Sequence, residues 1–345
     1  RQGCCLRART CNRNMATNMQ EAPQEKRPRV ELRVPTMELV PGVKMPVMGY
    51  GVGTAWFCGA RGEELTIESI ESALDHGLLH IDEAEMYKNE KVTGKALRRW
   101  FQKSAAPRSA LFVTGKVLGS IDGLPDWQES LEASCRNSIE LLGIEYFDLY
   151  LIHAPFHRGQ HDNPPFKRSL PDVWKEMEAL VSKGLAKSIG VSNWRIKDLE
   201  AVYDTATIKP CMNQVENHPH LRQPALMEYC ESKGIAVASY GGLKPLTSKD
   251  LSQHRLMTEV VPRIAASHGK TLAQVLQRWN YQSAPSGRKI VITTTRQAER
   301  LEEYLQVFDG SWQLSETEMA DINAAGDENA FRAFWDSKLD DYALA

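Results

Sequence analysis

The sequence predicts an α/β chain folded as a (β/α)₈ TIM barrel, with an N-terminal β-hairpin and a C-terminal tail loop over the barrel mouth. Three observations predict it. Eight short apolar runs recur along the chain, most are continuous rather than alternating, and stretches of helical periodicity separate them. Continuous apolar runs suit parallel strands covered on both faces. Eight βα units in about 310 residues come close to the ~250 typical of such a barrel. A doubly wound sheet is the rival fold. It needs a domain boundary near the middle of the chain, and no linker composition occurs there.

TMELVPGVKMPVM (36–48) places two short apolar pieces around Pro41-Gly42, which reads as a hairpin. MGYGVG near residue 50 is the first barrel strand. Ile67, Ile70 and Leu74 share one helical face that stops at Gly77. The second and third strands are LLHID (78–82) and LFVTGK (111–116). Leu131, Cys135, Ile139 and Leu142 mark a helix ending at Gly143, and the strand FDLYLIH (147–153) comes after it. Val173, Met177, Leu180 and Val181 mark another, with Ser169 as N-cap and Gly184 just past its end. Glycine there supplies the left-handed conformation that stops a helix. AKSIGVSN (186–193), CMNQVE (211–216), GIAVASY (234–240) and RKIVITTT (288–295) complete the eight strands.

Composition limits the partners. The 345 residues are 42% hydrophobic and 25% charged, with a formal net charge of −2. No basic field is available for nucleic acid, and no apolar run nears the ~18 residues of a bilayer span. The expected partner is a small molecule, met by a monomer or weak homodimer in the cytoplasm. Residues 1–33 read as a disordered leader and 34–345 as the barrel domain. Residues 1–20 hold Arg1, Arg7, Arg9 and Arg13 and no acid; an organellar transit peptide is the alternative reading. Cys4, Cys5 and Cys11 lie in the leader. Cys58, Cys135, Cys211 and Cys230 are scattered without a CxxC pair, which suits reduced thiols and no metal site.

The chemistry lies at the strand ends. In a barrel of this kind the working site forms at the C-terminal rim. There the runs leave Asp82 with Tyr87 just beyond, Lys116, His153, Ser192 and Asn193, Gln214 and Glu216, Tyr240, and Thr293 to Thr295. Asp82, Tyr87, Lys116 and His153 make sense together. A free phenol, with a pKa of about 10, is a poor acid at neutral pH. A neighbouring ammonium favours the phenolate and lowers that pKa, a carboxylate holds the lysine, and a histidine orients the bound oxygen. The product is a general acid aimed at a carbonyl. A plain Asp–Lys salt bridge beside a half-buried tyrosine explains any one of these residues, but not four at consecutive strand ends.

These motifs, in this order, resemble the aldo-keto reductase superfamily from about residue 36 to about residue 325. HIDEAEMYKNE, FVTGK and FDLYLIHAP resemble the blocks that carry the catalytic residues, here Asp82 and Tyr87, Lys116 and His153. SIGVSNW and MNQVENHP resemble the segments that hold the nicotinamide carboxamide, here through Ser192, Asn193 and Gln214. ASYGGL resembles the segment whose tyrosine, Tyr240, stacks on the ring, with Gly241 and Leu243 beside it. ITTTRQAERLEEYL resembles the block that grips the adenosine phosphate, here Arg300 with Thr294, Thr295 and Arg296. Gly53 and Thr54 fall near the cofactor. The resemblance implies NADPH-dependent, metal-free reduction of aldehydes or activated ketones, with hydride from nicotinamide C4 and a proton from Tyr87.

Two departures bear on this. Thr293, Thr294 and Thr295 stand where many relatives have Pro-Lys-Ser, so the usual phosphate-binding lysine is missing. NADPH stays favoured through Arg296 and Arg300, with NADH as an alternative cofactor. The threonine-rich block, with GTAW and SYGGLKPL, resembles a fungal branch that reduces α-keto amides, diketones and ketolactones. Ala154 replaces a larger aromatic and widens the pocket, with Trp56 and Phe331 as further candidate walls. HRGQH (157–161) and NHPH (217–220) read as loops, not metal sites. The tail FRAFW (331–335) reads equally as a pocket lid or as packing on the barrel. The rival functions are a regulatory barrel that senses cofactor without turnover, and an enzyme working mainly as a polyol dehydrogenase.

Overall fold

The chain opens with an antiparallel hairpin, β1 (Thr36–Val40) and β2 (Val43–Pro46), turning at Pro41-Gly42. Eight parallel strands then close on themselves: β3 (Met48–Gly51), β4 (His80–Asp82), β5 (Phe112–Val117), β6 (Leu149–Ile152), β7 (Ile189–Ser192), β8 (Met212–Glu216), β9 (Ala236–Tyr240) and β10 (Lys289–Thr293). Pairing of β10 with β3 closes the barrel and removes the doubly wound alternative. The computed structural model describes residues 33–117, 130–155, 169–284 and 286–335. The HRGQH segment and nearly all of the expected leader lie outside them. The Arg33 guanidinium is bonded to both oxygens of Glu302 at 2.6 and 2.7 Å.

Helices cover the outside: α1 (Glu63–Asp75), α2 (Glu90–Ser104), α3 (Leu131–Leu142), α4 (Leu170–Ser182), α5 (Ile196–Tyr203), α6 (Pro224–Ser232), α7 (Lys244–Thr247), α8 (Val261–His268), α9 (Leu272–Gln282), α10 (Ala298–Leu305) and α11 (Glu316–Asp327). The predicted end signals Gly77, Gly143, Ser169 and Gly184 fall at the ends of α1, α3 and α4. The Ser169 hydroxyl accepts from the Asp172 N–H at 3.3 Å to start α4. Gly143 ends α3 at φ 66°, where a side chain would be strained.

Strand period two sorts the core. Outward residues Ile81, Val113, Tyr150, Val191, Val215, Val237 and Val291 pack with helix residues such as Ile67, Trp100, Leu142 and Met177. Inward residues Phe112, Leu149, Leu151, Met212, Ala236, Ala238, Ile290 and Ile292 form a separate cluster that Leu39 and Met45 of the hairpin join. The hairpin therefore closes the bottom of the barrel. Each such large aliphatic burial contributes about 1.5–3 kcal/mol. The same alternation carries inward positions up each strand, so that polar residues at the upper ends face one another.

Candidate active site

Asp82 lies two residues past His80, at the inward spacing of β4, and Lys116 continues the Phe112 and Thr114 series on β5. Both are buried, at 2% and 1% exposure, so neither charge is tolerable alone. Lys116 Nζ donates to Asp82 Oδ2 at 2.7 Å and to the Glu83 carbonyl at 3.1 Å. Its third contact is the Tyr87 hydroxyl at 3.2 Å. The other Asp82 oxygen accepts from Gln214 Nε2 at 2.7 Å. Tyr87 ends the short turn Glu85–Tyr87 after β4. Its ring lies against Gly53, where a Cβ would stand 2.8 Å from the phenol carbon; only glycine leaves that space. The His153 ring meets Tyr87 edge-on, with centroids 5.7 Å apart.

The acidity of Tyr87 differs from the sequence expectation, in which Lys116 draws the phenol pKa down. Burial instead pushes Tyr87 well above its usual range, and the Asp82 and Glu83 carboxyls add to the effect. Tyr87 therefore rests as a protonated phenol. The Lys116 ammonium stands at its oxygen. Glu83 is itself held well above the usual carboxylate range by burial and by Glu90.

A cavity of about 1020 Å³ opens above these groups. Asp82, Tyr87, His153 and Gln214 line it, with Thr294 and Arg300. Gly53, Thr54, Tyr240, Gly241 and Leu243 are on the same lining. The remaining predicted residues stand differently. Ser192 donates its hydroxyl to the Gln214 carbonyl at 2.7 Å. The Asn193 amide donates to the His153 carbonyl at 2.9 Å, and its oxygen accepts from the Tyr240 hydroxyl at 2.7 Å. Both brace the rim beneath the lining. Arg296 is exposed and Thr295 buried beside the cavity, and neither lines it.

Three pocket residues are displaced from expectation. Trp56 is fully buried and donates its indole N–H to Thr294 Oγ1 at 3.1 Å; its neighbour Phe57 faces the cavity. Ala154 is buried off the lining. Phe331 is not a wall either: Phe334 and Trp335 of the same stretch are, so the tail takes the lid reading. Sequence reasoning also missed Met86, Lys244, Gln277, Asn280 and Tyr304 on the lining. Lys244 was legible as a cation just after the β9 motif. Among the described residues, no group of three or more His, Cys, Asp or Glu could hold a metal.

The cavity suits an extended dinucleotide. A flat phenol (Tyr240) and an amide (Gln214) lie near the reacting end. Glycines 241 and 242 leave room on the lining, and the cations Lys244 and Arg300 share it. NADPH would be held by these residues and would supply the hydride.

Comparison with known proteins agrees. The model of the Aldo/keto reductase family matches residues 48–327. The chain is 38% identical over 299 residues to the NAD/NADP-dependent indole-3-acetaldehyde reductase of Schizosaccharomyces pombe, covering 85% of this chain and 96% of that one. It is 35% identical to the glyoxal reductase of Bacillus subtilis, over 84% of this chain and 92% of the relative. The fold matches the aldose reductase of Schistosoma japonicum with a TM-score of 0.70 at 32% identity, over 85% and 92% of the two chains. A Bombyx mori aldo-keto reductase solved with NADP matches with a TM-score of 0.75 at 27% identity, over 88% and 97%. The chain belongs to the aldo/keto reductase family, the NAD(P)H-dependent enzymes that reduce carbonyl groups to alcohols.

Proposed function

We propose that this chain reduces aromatic or otherwise activated carbonyl compounds with NADPH, using Tyr87 as the general acid. The observation that carries this reading is the Lys116 Nζ, bonded to Asp82 and 3.2 Å from a phenol that faces the cavity. A carbonyl oxygen above Tyr87 and beside His153 would take the phenolic proton as the carbon is reduced. Lys116 then donates to the phenolate left behind, and Asp82 with Gln214 keeps that lysine in place. The charge is met only as it forms, which lowers the barrier rather than tightening the ground state.

Phe57, Met86, Phe334 and Trp335 supply the apolar part of the mouth, which favours an aromatic group on the substrate. The indole-3-acetaldehyde activity of the yeast relative agrees with that choice. The described cysteines are free, in keeping with the cytosol.

The test is NADPH consumption by purified protein, monitored by absorbance, with indole-3-acetaldehyde, an α-keto ester and a ketolactone. NADH and Tyr87→Phe run in parallel. Tyr87→Phe should bind NADPH normally and lose turnover by on the order of 10³-fold. Binding without turnover on any carbonyl would replace this reading with a regulatory one. Faster alcohol oxidation than carbonyl reduction at matched cofactor would favour the dehydrogenase direction.

A further inference from the structure

The tail after α11 reaches the mouth by docking on one carboxyl group. Glu216 ends β8 at the inward spacing set by Met212 and Gln214, and its side chain is fully buried. Oε1 accepts from the Ala333 N–H at 2.9 Å and pairs with His218 Nε2 at 3.0 Å. Oε2 accepts from the Phe334 N–H at 3.0 Å. The loop after β8 adds to the dock. The Phe331 N–H donates to the His220 carbonyl at 2.9 Å. Gln223 Nε2 donates to the Glu216 carbonyl at 2.7 Å. The NHPH segment, which the sequence left without a role, is thus the seat of the tail.

The dock places two aromatic rings at the mouth. The Phe334 ring stands edge-on to Tyr240 at 5.5 Å, with Lys244 Nζ 4.6 Å from its centroid. The Trp335 ring lies 6.2 Å from His153. Ring contacts of this kind tolerate sliding, whereas two successive N–H groups on two carboxyl oxygens fix the backbone register. A carboxyl group buried this deeply needs hydrogen-bond partners. Among the described residues, two of its three come from the tail itself.

We propose that Glu216 is a positioning residue for substrate selection, holding Phe334 and Trp335 as one wall of the mouth through the Ala333–Phe334 backbone. This rests on reduction taking place beside Tyr87 and His153. Glu216 is not among the residues that line the cavity; it acts through the tail.

Glu216→Gln keeps the volume, but an amide accepts on one side only and turns an N–H toward the other donor. Backbone hydrogen exchange in the full chain, without substrate, reads the dock directly. Exchange at Phe334 should accelerate about tenfold or more, the worth of one hydrogen bond. In the same variant, KM for indole-3-acetaldehyde should rise about tenfold with kcat within about twofold, while KM for glyoxal, too small to reach the tail, stays within about twofold. Ala333→Pro removes one donor from the tail side and leaves the barrel untouched. It should reproduce both effects, and it keeps the test decisive if the Gln variant fails to fold. Unchanged exchange in the folded variants overturns the proposal, as does an equal rise in both KM values. Exchange requires no catalysis, so it stands apart from the Tyr87→Phe result: full turnover by Tyr87→Phe would sink the reading of the acid and leave the docking measurement intact.

Discussion

Two buried ion pairs occupy opposite ends of the barrel, with nearly equal lengths and different surroundings. Lys116–Asp82 stands at the upper rim at 2.7 Å, and Arg108–Asp148 at the base at 2.8 Å. At the base the carboxylate is closed off. Asp148 Oδ2 also accepts from the Val113 N–H at 3.0 Å, and Oδ1 from Lys187 at 3.2 Å. Arg108 reaches the Tyr146 carbonyl at 2.6 Å and lies 4.3 Å over the Tyr146 ring. Such a guanidinium is well suited to joining several fixed acceptors. At the rim the cation is a single ammonium, and one of its hydrogens points at a phenol that faces open space. A buried salt bridge is therefore not itself a sign of chemistry. The sign is a cation whose third partner borders a cavity.

The comparison breaks most visibly under substitution of the two cations. Lys116→Met should lower kcat/KM by on the order of 10³-fold, because the phenolate loses the cation at its oxygen. Arg108→Met should leave kcat per folded molecule within about twofold. It should cost about 3 kcal/mol in denaturant unfolding, through the guanidinium bonds lost by Asp148 and by the Tyr146 carbonyl. Loss of turnover in Arg108→Met, at full folding, would mean that the two ends are not separable.

A smaller effect sharpens the contrast. Beneath the rim, the acids Glu83 and Glu90 are both buried near the start of α2. Neither has a bonded guanidinium of the kind that Arg108 gives Asp148, among the described residues. Burial, with Glu85 adding, raises Glu90 to about 7. The folded state then holds a proton that the unfolded chain releases near 4.5. Stability from this group falls as pH rises through that window and is lowest above the folded value. Glu90→Gln should match the parent at pH 4.5 and exceed it by about 3 kcal/mol at pH 8. A constant difference across pH would mean that Glu90 is ionised in the fold. Asp148 has its donors, so Asp148→Asn should destabilise at neutral pH instead.

The strands were legible because a buried parallel strand is a continuous apolar run, and the rim because period two carries inward positions to the strand ends. Asp82, Lys116, His153, Gln214 and Tyr240 are found by that rule alone. Loops obey no such period. The sequence points to Trp56 rather than Phe57, and to Phe331 rather than Phe334 and Trp335, because side-chain direction in a turn or tail is set by distant partners. For the tail that partner is Glu216, more than a hundred residues earlier in the chain. Ser192 and Asn193 stand at the strand end as expected, yet hydrogen bonds to neighbouring strands turn them into braces. The acidity of Tyr87 was hidden for a related reason. Its cation neighbour is written in the sequence, and its degree of burial is not.

Arg300 offers the smallest effect and the clearest test of cofactor choice. The strand end Thr293–Thr295 carries no lysine, and Arg300 is a cation on the cavity lining. NADPH and NADH differ only by the 2′-phosphate, so a residue that reads the phosphate must separate them. A charge-assisted bond of about 1.5–3 kcal/mol corresponds to roughly ten- to a hundredfold in affinity. Arg300→Ala should weaken NADPH by about tenfold or more in a fluorescence titration and NADH by less than about twofold. Equal weakening would move Arg300 to a part that both cofactors share and leave the 2′-phosphate without a partner on α10. The cation for that phosphate would then be sought at Arg296, which is exposed just before the helix.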